Sequence, residues 1–283
     1  MTVRHVAVLG SGQMGSGIAQ VFAQSGYEVT LYDLQKEALN QSKKQIERLL
    51  LRSIEKERIT SAEKEATMKR LQFTRELSDL KHVNLVVEAV VEDEAVKVEL
   101  FKQLDDMTSE DTILASNTSS IPITKLAAAT QRPEKVVGMH FMNPVPVMKL
   151  VEVIRGLQTD DRTYKKVFQL TKELNKTAVL SMDFPGFIAN RILMPMINEA
   201  IFTVYEGVAS VEDVDTVMKL GMNHPMGPLT LADFIGLDTC LSIMEVMYEG
   251  FGDSKYRPCP LLKQYVQAGW YGKKSGRGFY IYT

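Results

Sequence analysis

The segment VRHVAVLGSGQMGSGIAQVFAQSGYEVTLYD, residues 3–33, decides the fold of this chain. Residues 3–9 form a short apolar run rich in β-branched side chains, which is typical of a parallel strand buried on both faces. A glycine-rich turn over residues 10–15 leads into helical spacing, and a second apolar run over residues 27–32 ends on Asp33. This order predicts the first βαβ unit of a dinucleotide-binding sheet.

The glycines of the turn have different tasks in such a unit. Gly10 permits a sharp turn, Gly12 lets the backbone approach a pyrophosphate, and Gly15 lets the helix pack closely on the strand. The N-terminus of the helix offers free N–H groups and the positive end of its dipole to the phosphates. We therefore predict that a dinucleotide binds against Gly10, Gly12, Gln13, Met14 and Gly15.

Asp33 is predicted to select the cofactor. A carboxylate at a strand end, about 20 residues beyond the glycines, accepts hydrogen bonds from both ribose hydroxyls. The same charge repels a 2′-phosphate, which favours NAD over NADP, although the nearby Lys36 leaves NADP possible. The alternative is that Asp33 is a turn or cap residue.

Further apolar runs over residues 83–87, 112–115 and 135–139 alternate with helical segments. This alternation predicts an α/β protein with a Rossmann-type, doubly wound parallel sheet, whose ligands bind beyond the carboxyl ends of the strands. Each polar residue just past a predicted strand end could be a loop residue without a function, but together they predict a ligand site. These residues are Glu92, Lys97, Asn117, Ser119 and His140.

The composition excludes several classes of protein. The chain has 283 residues, with 33 basic and 35 acidic side chains and a net charge of −2, and its length suggests two domains. A near-zero charge gives no basic field for nucleic acid or a membrane surface, and no run approaches the ~18 to 20 apolar residues that span a bilayer. The start, MTVRHVAVLG, has no signal-like pattern, and the two cysteines are too few for a zinc site or a disulfide framework. We expect a cytoplasmic protein without a metal site.

The pattern changes to helices from Pro185 onwards. We predict a cofactor domain over residues 1–184 and a smaller all-α domain over residues 185–283, with Asn190 in the first turn of a helix over residues 187–207. So much apolar helix surface in about a hundred residues is hard to bury in one small domain. We therefore expect a homodimer formed through the helical domain.

A basic stripe is predicted on the long helix that ends before Thr60. Its residues recur every four positions, opposite a face of apolar side chains that would pack inward. Acidic residues interleave with the stripe, so it is either a solvated face or a binding surface for a large anionic substrate. The basic residues are Lys44, Arg48, Arg52 and Lys56.

The candidate reacting group is His140. Glu152 lies in the middle of an apolar run, residues 149–154, that the proline-rich NPVPV turn can bring back beside the strand of His140. A buried carboxylate needs a partner, and a carboxylate bonded to one imidazole nitrogen leaves the other available as a base. The alternative is a structural His–Glu pair that stabilises the hairpin.

The whole chain resembles the L-3-hydroxyacyl-CoA dehydrogenase family, especially its bacterial 3-hydroxybutyryl-CoA members. The stretches that carry the resemblance run in order from one end to the other. They are GSGQMGSGIAQ, NLVVEAVVED, ASNTSS, GMHFMNPVPVMKLVEVI, DFPGFIANRI, NHPMGPLTLADFIGLD and GKKSGRGFY.

The resemblance implies reversible, NAD-dependent oxidation of an (S)-3-hydroxyacyl-CoA, with His140 as general acid–base and Glu152 as its orienting partner. It implies that Ser119 and Asn190 bond the reacting oxygen. Other implied roles are cofactor contacts at Glu92, Lys97, Asn117, Ser119 and Asn143, support of the His–Glu site by Asn143, and binding of coenzyme A phosphates by Arg52 and Lys56. Two alternatives are a dehydrogenase of free 3-hydroxy or sugar acids on the same scaffold and an inactive NAD-binding structural or sensor protein.

Overall fold

The computed structural model describes residues 3–282. The chain forms two compact units and passes from the first to the second at the Asp183–Phe184 bond, one residue from the predicted boundary. The first unit contains the sheet, and the second is built from helices.

Between residues 3 and 183, eight strands make up the sheet of the first unit, and most of their residues are buried. Their spatial order is β3-β2-β1-β4-β5-β6-β7-β8. The strands are β1 (His5–Leu9), β2 (Glu28–Tyr32), β3 (Leu71–Thr74), β4 (Leu85–Glu88), β5 (Ile113–Ser116), β6 (Val136–Phe141), β7 (Leu150–Arg155) and β8 (Thr177–Met182).

Strands β1 to β6 pair in parallel, in the order expected for a doubly wound nucleotide-binding sheet. Strand β7 pairs antiparallel to β6, and β8 pairs parallel to β7. The carboxyl ends of the first six strands therefore lie at one edge of the sheet, and β7 begins at that same edge.

The described part of the first unit contains six α-helices. Three of them begin with side-chain caps, in which Thr60, Asp93 and Asp160 each accept a hydrogen bond from a backbone N–H three residues later. The helices are α1 (Gln13–Gln24), α2 (Lys36–Glu55), α3 (Ser61–Lys69), α4 (Glu94–Met107), α5 (Ile123–Ala127) and α6 (Asp161–Glu173).

The predicted basic stripe lies on α2 and just beyond it. Ile46 and Leu50 are fully buried on the inner side of the helix. All four basic residues are exposed: Lys44, Arg48 and Arg52 lie within the helix, and Lys56 follows its last residue. The amphipathic pattern of the sequence thus fixes which face of α2 meets solvent.

The second unit buries a core of its own, which includes Met194, Ile201, Leu229 and Met247. A five-residue π-helix over Val217–Gly221 follows the second of its helices. The helices are α7 (Ala189–Tyr205), α8 (Val211–Thr216), α9 (Pro228–Ile235), α10 (Leu237–Phe251) and α11 (Pro260–Gln267).

Candidate active site

His140 and Glu152 form a buried pair in the first unit. They are directly opposite in the antiparallel ladder of β6 and β7, and His140 Nδ1 lies 2.7 Å from Glu152 Oε2. The side chain of His140 is 10% exposed and that of Glu152 is 2% exposed. The predicted contact is therefore present, and the carboxylate fixes the orientation of the imidazole ring.

The position of His140 relative to the strand was predicted wrongly. It is the fifth residue of β6 instead of a residue beyond the strand end. The parallel partner β5 pairs only with Val136–Gly138, whereas β7 continues the ladder as far as Phe141. The extra length of β6 comes from this antiparallel pairing.

The glycine turn has the shape of a phosphate cradle. Gly10 has a φ of +93°, a conformation that side chains disfavour, and a Cβ atom on Gly15 would overlap the carbonyl oxygen of Gly10. Gly12 caps the N-terminus of α1, and a Cβ atom there would meet no protein atom within 4 Å. The space beside Gly12 is open in the direction from which a pyrophosphate could approach the helix N-terminus.

A cavity of about 800 Å³ adjoins this turn. Its walls are largely apolar and come from the segments that follow β1, β2 and β4 and from α4, so the residues present fit a dinucleotide such as NAD. The predicted cofactor residues that line the cavity are Gly10, Gly12, Gln13, Met14 and Asp33. Lining residues that were not predicted include Tyr32, Val90, Val96 and Gln103.

Asp33 is held in place by the backbone around it. Its Oδ2 accepts hydrogen bonds from the N–H and the hydroxyl of Ser11, both at 2.7 Å, and its Oδ1 accepts one from the N–H of Gln35. These bonds leave acceptor capacity on a half-buried carboxylate at the end of β2. A role as a turn residue and a role as a ligand residue are therefore compatible for Asp33.

Lys97 and Glu92 belong to a charged cluster that also contains Glu88. Lys97 Nζ lies 2.6 Å from Glu88 Oε1 and 3.1 Å from Glu92 Oε2, and the side chain of Lys97 is only 1% exposed. Lys97 is in α4, one turn beyond its start, instead of just past a strand end. Glu88 is not among the predicted site residues, although an acidic residue that ends the apolar run NLVV needs a partner.

Glu92 holds the loop that contains Ser119. Its Oε1 accepts hydrogen bonds from the N–H of Ser119 at 2.9 Å and from the hydroxyls of Thr118 and Ser120. Burial opposes ionisation of Glu92, but the Lys97 ammonium and the bonds from Thr118 and Ser120 outweigh it and hold the pKa of Glu92 below its ordinary value. The carboxylate form is thus the one that organises this loop.

Two predicted asparagines connect segments near the ends of β5 and β6. Asn117 Oδ1 accepts a hydrogen bond from the N–H of Phe141, the residue after His140. Asn143 Oδ1 accepts one from Gln13 Nε2, which ties the turn after β6 to the glycine turn. Both bonds place polar side chains close to the edge of the sheet where the carboxyl ends of β1 to β6 lie.

Asn190 is in the second unit. It is the second residue of α7, in the first turn of the helix as predicted, and it is buried. Gly186 and Phe187 just before the helix have positive φ values of 78° and 50°. This bend in the backbone sets the direction in which α7 begins.

The family of the chain follows from both units. Residues 5–184 match the model of the 3-hydroxyacyl-CoA dehydrogenase NAD-binding domain, and residues 186–282 match that of the 3-hydroxyacyl-CoA dehydrogenase C-terminal domain. The chain belongs to the 3-hydroxyacyl-CoA dehydrogenase family.

Several proteins similar to this dehydrogenase-family chain match it over its whole length. A probable 3-hydroxybutyryl-CoA dehydrogenase of Bacillus subtilis is 58% identical over 282 residues, which cover 100% of this chain and 98% of the relative. A 3-hydroxybutyryl-CoA dehydrogenase of Bradyrhizobium diazoefficiens is 53% identical, with 99% of this chain and 96% of the relative covered. The crystal structure of (S)-3-hydroxybutyryl-CoA dehydrogenase from Ralstonia eutropha covers both chains completely, with 49% identity and a TM-score of 0.98.

Membership in the 3-hydroxyacyl-CoA dehydrogenase family confirms the resemblance, the oxidoreductase class and the NAD-binding Rossmann-type domain that the sequence predicts. Within residues 3–282, no three His, Cys, Asp or Glu side chains are grouped so that they could hold a metal ion. The helices of that part of the chain include none that is long and apolar enough to span a membrane.

Proposed function

We propose that this protein catalyses the reversible oxidation of (S)-3-hydroxyacyl-CoA to 3-oxoacyl-CoA with NAD, with 3-hydroxybutyryl-CoA and acetoacetyl-CoA as the substrate pair. The observation that carries the proposal is the buried His140–Glu152 pair, in the same unit as the glycine cradle and the cavity beside it. NAD⁺ supplies a hydride acceptor for C3 of the substrate when it is bound. The residues of the chain supply the proton transfer and the positioning.

His140 is the general acid–base of this proposal. In oxidation the imidazole takes the hydroxyl proton as hydride leaves C3, and in reduction the imidazolium returns it to the forming alkoxide. Glu152 Oε2 accepts a hydrogen bond from His140 Nδ1–H, with 2.7 Å between the two heavy atoms, which directs the other ring nitrogen to the substrate and stabilises the positive charge of the imidazolium. Both side chains are almost completely buried, and the low effective dielectric constant around them strengthens this interaction.

Ser119 and Asn190 are assigned the hydrogen bonds to the reacting oxygen. A hydroxyl and an amide N–H₂ are both donors to a developing alkoxide, which is the charge that this reaction creates. We assign the cofactor contacts to Glu92, Lys97, Asn117 and Asn143, in addition to the residues of the glycine turn and Asp33.

The basic stripe on α2 is the proposed binding surface for the coenzyme A phosphates, with Arg52 and Lys56 as the main contacts. All four of its basic side chains are exposed, and Lys56 is the residue that follows the last residue of α2. Charge and bidentate hydrogen bonding suit lysine and arginine to phosphate. This stripe favours an acyl-CoA over a free hydroxy acid.

A homodimer through the second unit is also proposed. Apolar side chains stand exposed on and near the π-helix, including Val208, Val217 and Leu220, of which Leu220 is 81% exposed. Val217 also lines an apolar cavity of about 430 Å³ between α7 and α8. Large apolar side chains exposed to this extent are typical of an interface, and a second copy is the partner that the sequence favours.

The proposed reaction is tested by mixing purified protein with acetoacetyl-CoA and following the oxidation of NADH or NADPH by absorbance. Turnover with NADH and its loss in His140→Gln are expected. No turnover with either cofactor would contradict the proposed acyl-CoA reaction and would leave the two alternatives, a dehydrogenase of free hydroxy acids and an inactive NAD-binding protein. A fully active His140→Gln variant would contradict the assigned proton transfer.

Free acetoacetate as a substrate distinguishes the proposed acyl-CoA dehydrogenase from a dehydrogenase of free hydroxy acids. The double variant Arg52→Glu/Lys56→Glu should raise the KM for acetoacetyl-CoA without changing the KM for NADH. Lys165→Glu/Lys172→Glu on α6 is the matched charge reversal and should change neither. Equal rates of the wild-type protein on acetoacetate and acetoacetyl-CoA would contradict the role of the stripe.

Sedimentation velocity tests the assembly. The wild-type protein should sediment as a dimer, and Val217→Asp/Leu220→Asp should sediment as a monomer. A monomeric wild-type protein would contradict the proposed interface.

A further inference from the structure

Glu88 is a fully buried carboxylate at the end of β4, in the middle of the sheet. Its Oε2 accepts a hydrogen bond from the hydroxyl of Ser116 at 2.6 Å, and its Oε1 accepts one from the N–H of Val90 at 2.8 Å. The third partner is Lys97 Nζ, at 2.6 Å from Oε1. An ionised carboxylate without water requires such a set of donors.

The Lys97 ammonium is shared between two carboxylates. Glu88 and Lys97 have side chains that are 0% and 1% exposed, whereas Glu92 is 39% exposed and stands at the outer side of the cluster. The cluster of two acids and one base carries one net negative charge. The buried Glu88 therefore fixes the position of the Lys97 ammonium, and the ammonium in turn binds the carboxylate of Glu92.

Glu92 transmits this position to the loop after β5. Its Oε2 faces Lys97, and its Oε1 accepts from the N–H groups of Ser119 and Ser120 at 2.9 and 3.2 Å. Thr118 is bonded from both sides, since its hydroxyl donates to Glu92 and its N–H donates to the hydroxyl of Ser116. A movement of Lys97 would consequently displace the backbone of Ser119.

We propose that Glu88 is a positioning residue for hydride transfer, because it anchors Lys97 and, through Lys97 and Glu92, holds the hydroxyl of Ser119 at the reacting oxygen. The proposal rests on the function proposed above for Ser119. The charge of Glu88 matters as well as its shape. With a neutral side chain at this position, the ammonium has one counter-ion instead of two and is drawn towards Glu92, so that the bonds from Glu92 to the loop change.

Glu88→Gln removes the charge at nearly constant volume. The matched control is Asp105→Asn, which makes the same change in another buried ion pair of α4, where Asp105 Oδ1 lies 3.0 Å from Arg132 Nε near the end of the helix. If Glu88→Gln does not fold, Glu88→Asp is measured in its place, since it keeps the charge but withdraws the carboxylate from Lys97.

The first measurement is amide hydrogen exchange in the free protein, which needs neither cofactor nor substrate. Glu88→Gln should speed exchange of the Ser119 and Ser120 amides by about tenfold or more, and Asp105→Asn should leave both rates unchanged. Unchanged exchange in Glu88→Gln, or an equal acceleration in Asp105→Asn, would overturn the proposal. Because this readout does not depend on turnover, it stays decisive if the proposed reaction itself fails.

The second measurement is a double-mutant cycle in the reduction of acetoacetyl-CoA. Glu88→Gln should lower kcat by about tenfold or more in the wild-type background, since misplacing a reacting group by about 1 Å has effects of this size. In the Ser119→Ala background the same substitution should lower kcat by less than about twofold, because its target is gone. An equal factor in both backgrounds would show that Glu88 acts without Ser119 and would overturn the proposal.

Discussion

Glu152→Gln replaces one oxygen of the buried carboxylate with an NH₂ group and leaves the rest of the side chain the same size. Glu152 lies opposite His140 in the ladder, with 2.7 Å between Oε2 and Nδ1. The amide can still accept a hydrogen bond from Nδ1, but it has no charge with which to stabilise an imidazolium. The substitution therefore tests the electrostatic part of the contact more than its shape.

The size of the effect follows from the geometry. A contact of 2.7 Å between the two atoms puts the centres of the two charges about 4 Å apart, where unit charges interact by about 4 kcal/mol at an effective dielectric constant of about 20. If half of the proton charge has reached His140 in the transition state, the loss is about 2 kcal/mol, or about 30-fold in rate; complete transfer gives about 1,000-fold. We expect kcat to fall within these limits.

The assay is the initial rate of NADH oxidation with acetoacetyl-CoA, with kcat and both KM values measured separately. The fall should be in kcat, with the KM for NADH within about threefold of the wild-type value, because Glu152 acts on the transition state and not on binding. The matched control is Glu173→Gln. Glu173 accepts a hydrogen bond from the hydroxyl of Tyr27, which lies between α1 and β2, and its substitution should leave kcat unchanged. A Glu152→Gln variant that folds and retains more than about half of kcat would refute the assigned role of the pair.

Three further predictions concern the first unit. Gly12→Ala should keep the free energy of unfolding within about 1 kcal/mol but raise the KM for NADH by about tenfold or more. Gly15→Ala should destabilise the fold by about 3 kcal/mol, because a Cβ atom on residue 15, unlike one on residue 12, overlaps the protein backbone. Unchanged KM in Gly12→Ala would contradict the cradle. Asp33→Asn should lower the ratio of kcat/KM for NADH to that for NADPH by about tenfold, and an unaltered ratio would remove Asp33 from cofactor selection. The folded pKa of Glu92 is below its ordinary 4.5, so its ionised form stabilises the fold fully above that pH and loses this effect as the pH falls through the folded value. Denaturant unfolding of Glu92→Gln should show a smaller loss of stability below pH 4.5 than the wild type, and parallel curves would contradict this.

The parts of the site that the sequence predicts are those formed by neighbouring residues or required by one buried charge. The glycines of the turn from Gly10 to Gly15 lie within six residues, so their spacing predicts the turn, which Asp33 then supports through Ser11. The pairing of Glu152 with His140 follows because a carboxylate in an apolar strand needs a partner, and the only turn between them is short. In both cases the residues that form the feature can be recognised from the sequence.

The rest depends on contacts between distant segments. Glu88 is recognisable as a buried acid, but its bond to Ser116 depends on β4 and β5 being neighbours in the sheet. The bond between Gln13 and Asn143 spans 130 residues. The length of β6 is set by its partner β7 more than by the residues of β6 itself. Such features require the topology before they can be derived.

The antiparallel ladder between β6 and β7 makes the reacting pair insensitive to the length of the connection between them. His140 and Glu152 are held opposite each other by backbone hydrogen bonds of the strands, whereas residues 142–149 close the turn and include Asn143, which is bonded to Gln13, and the buried Val145. An insertion in that turn enlarges it and leaves the pair in register, whereas a slip of one residue in the ladder would turn Glu152 to the other face of the sheet. The register of the acid–base pair is thus independent of the length of the turn, and an insertion at the exposed Val147, beyond Asn143 and Val145, should retain the acid–base chemistry.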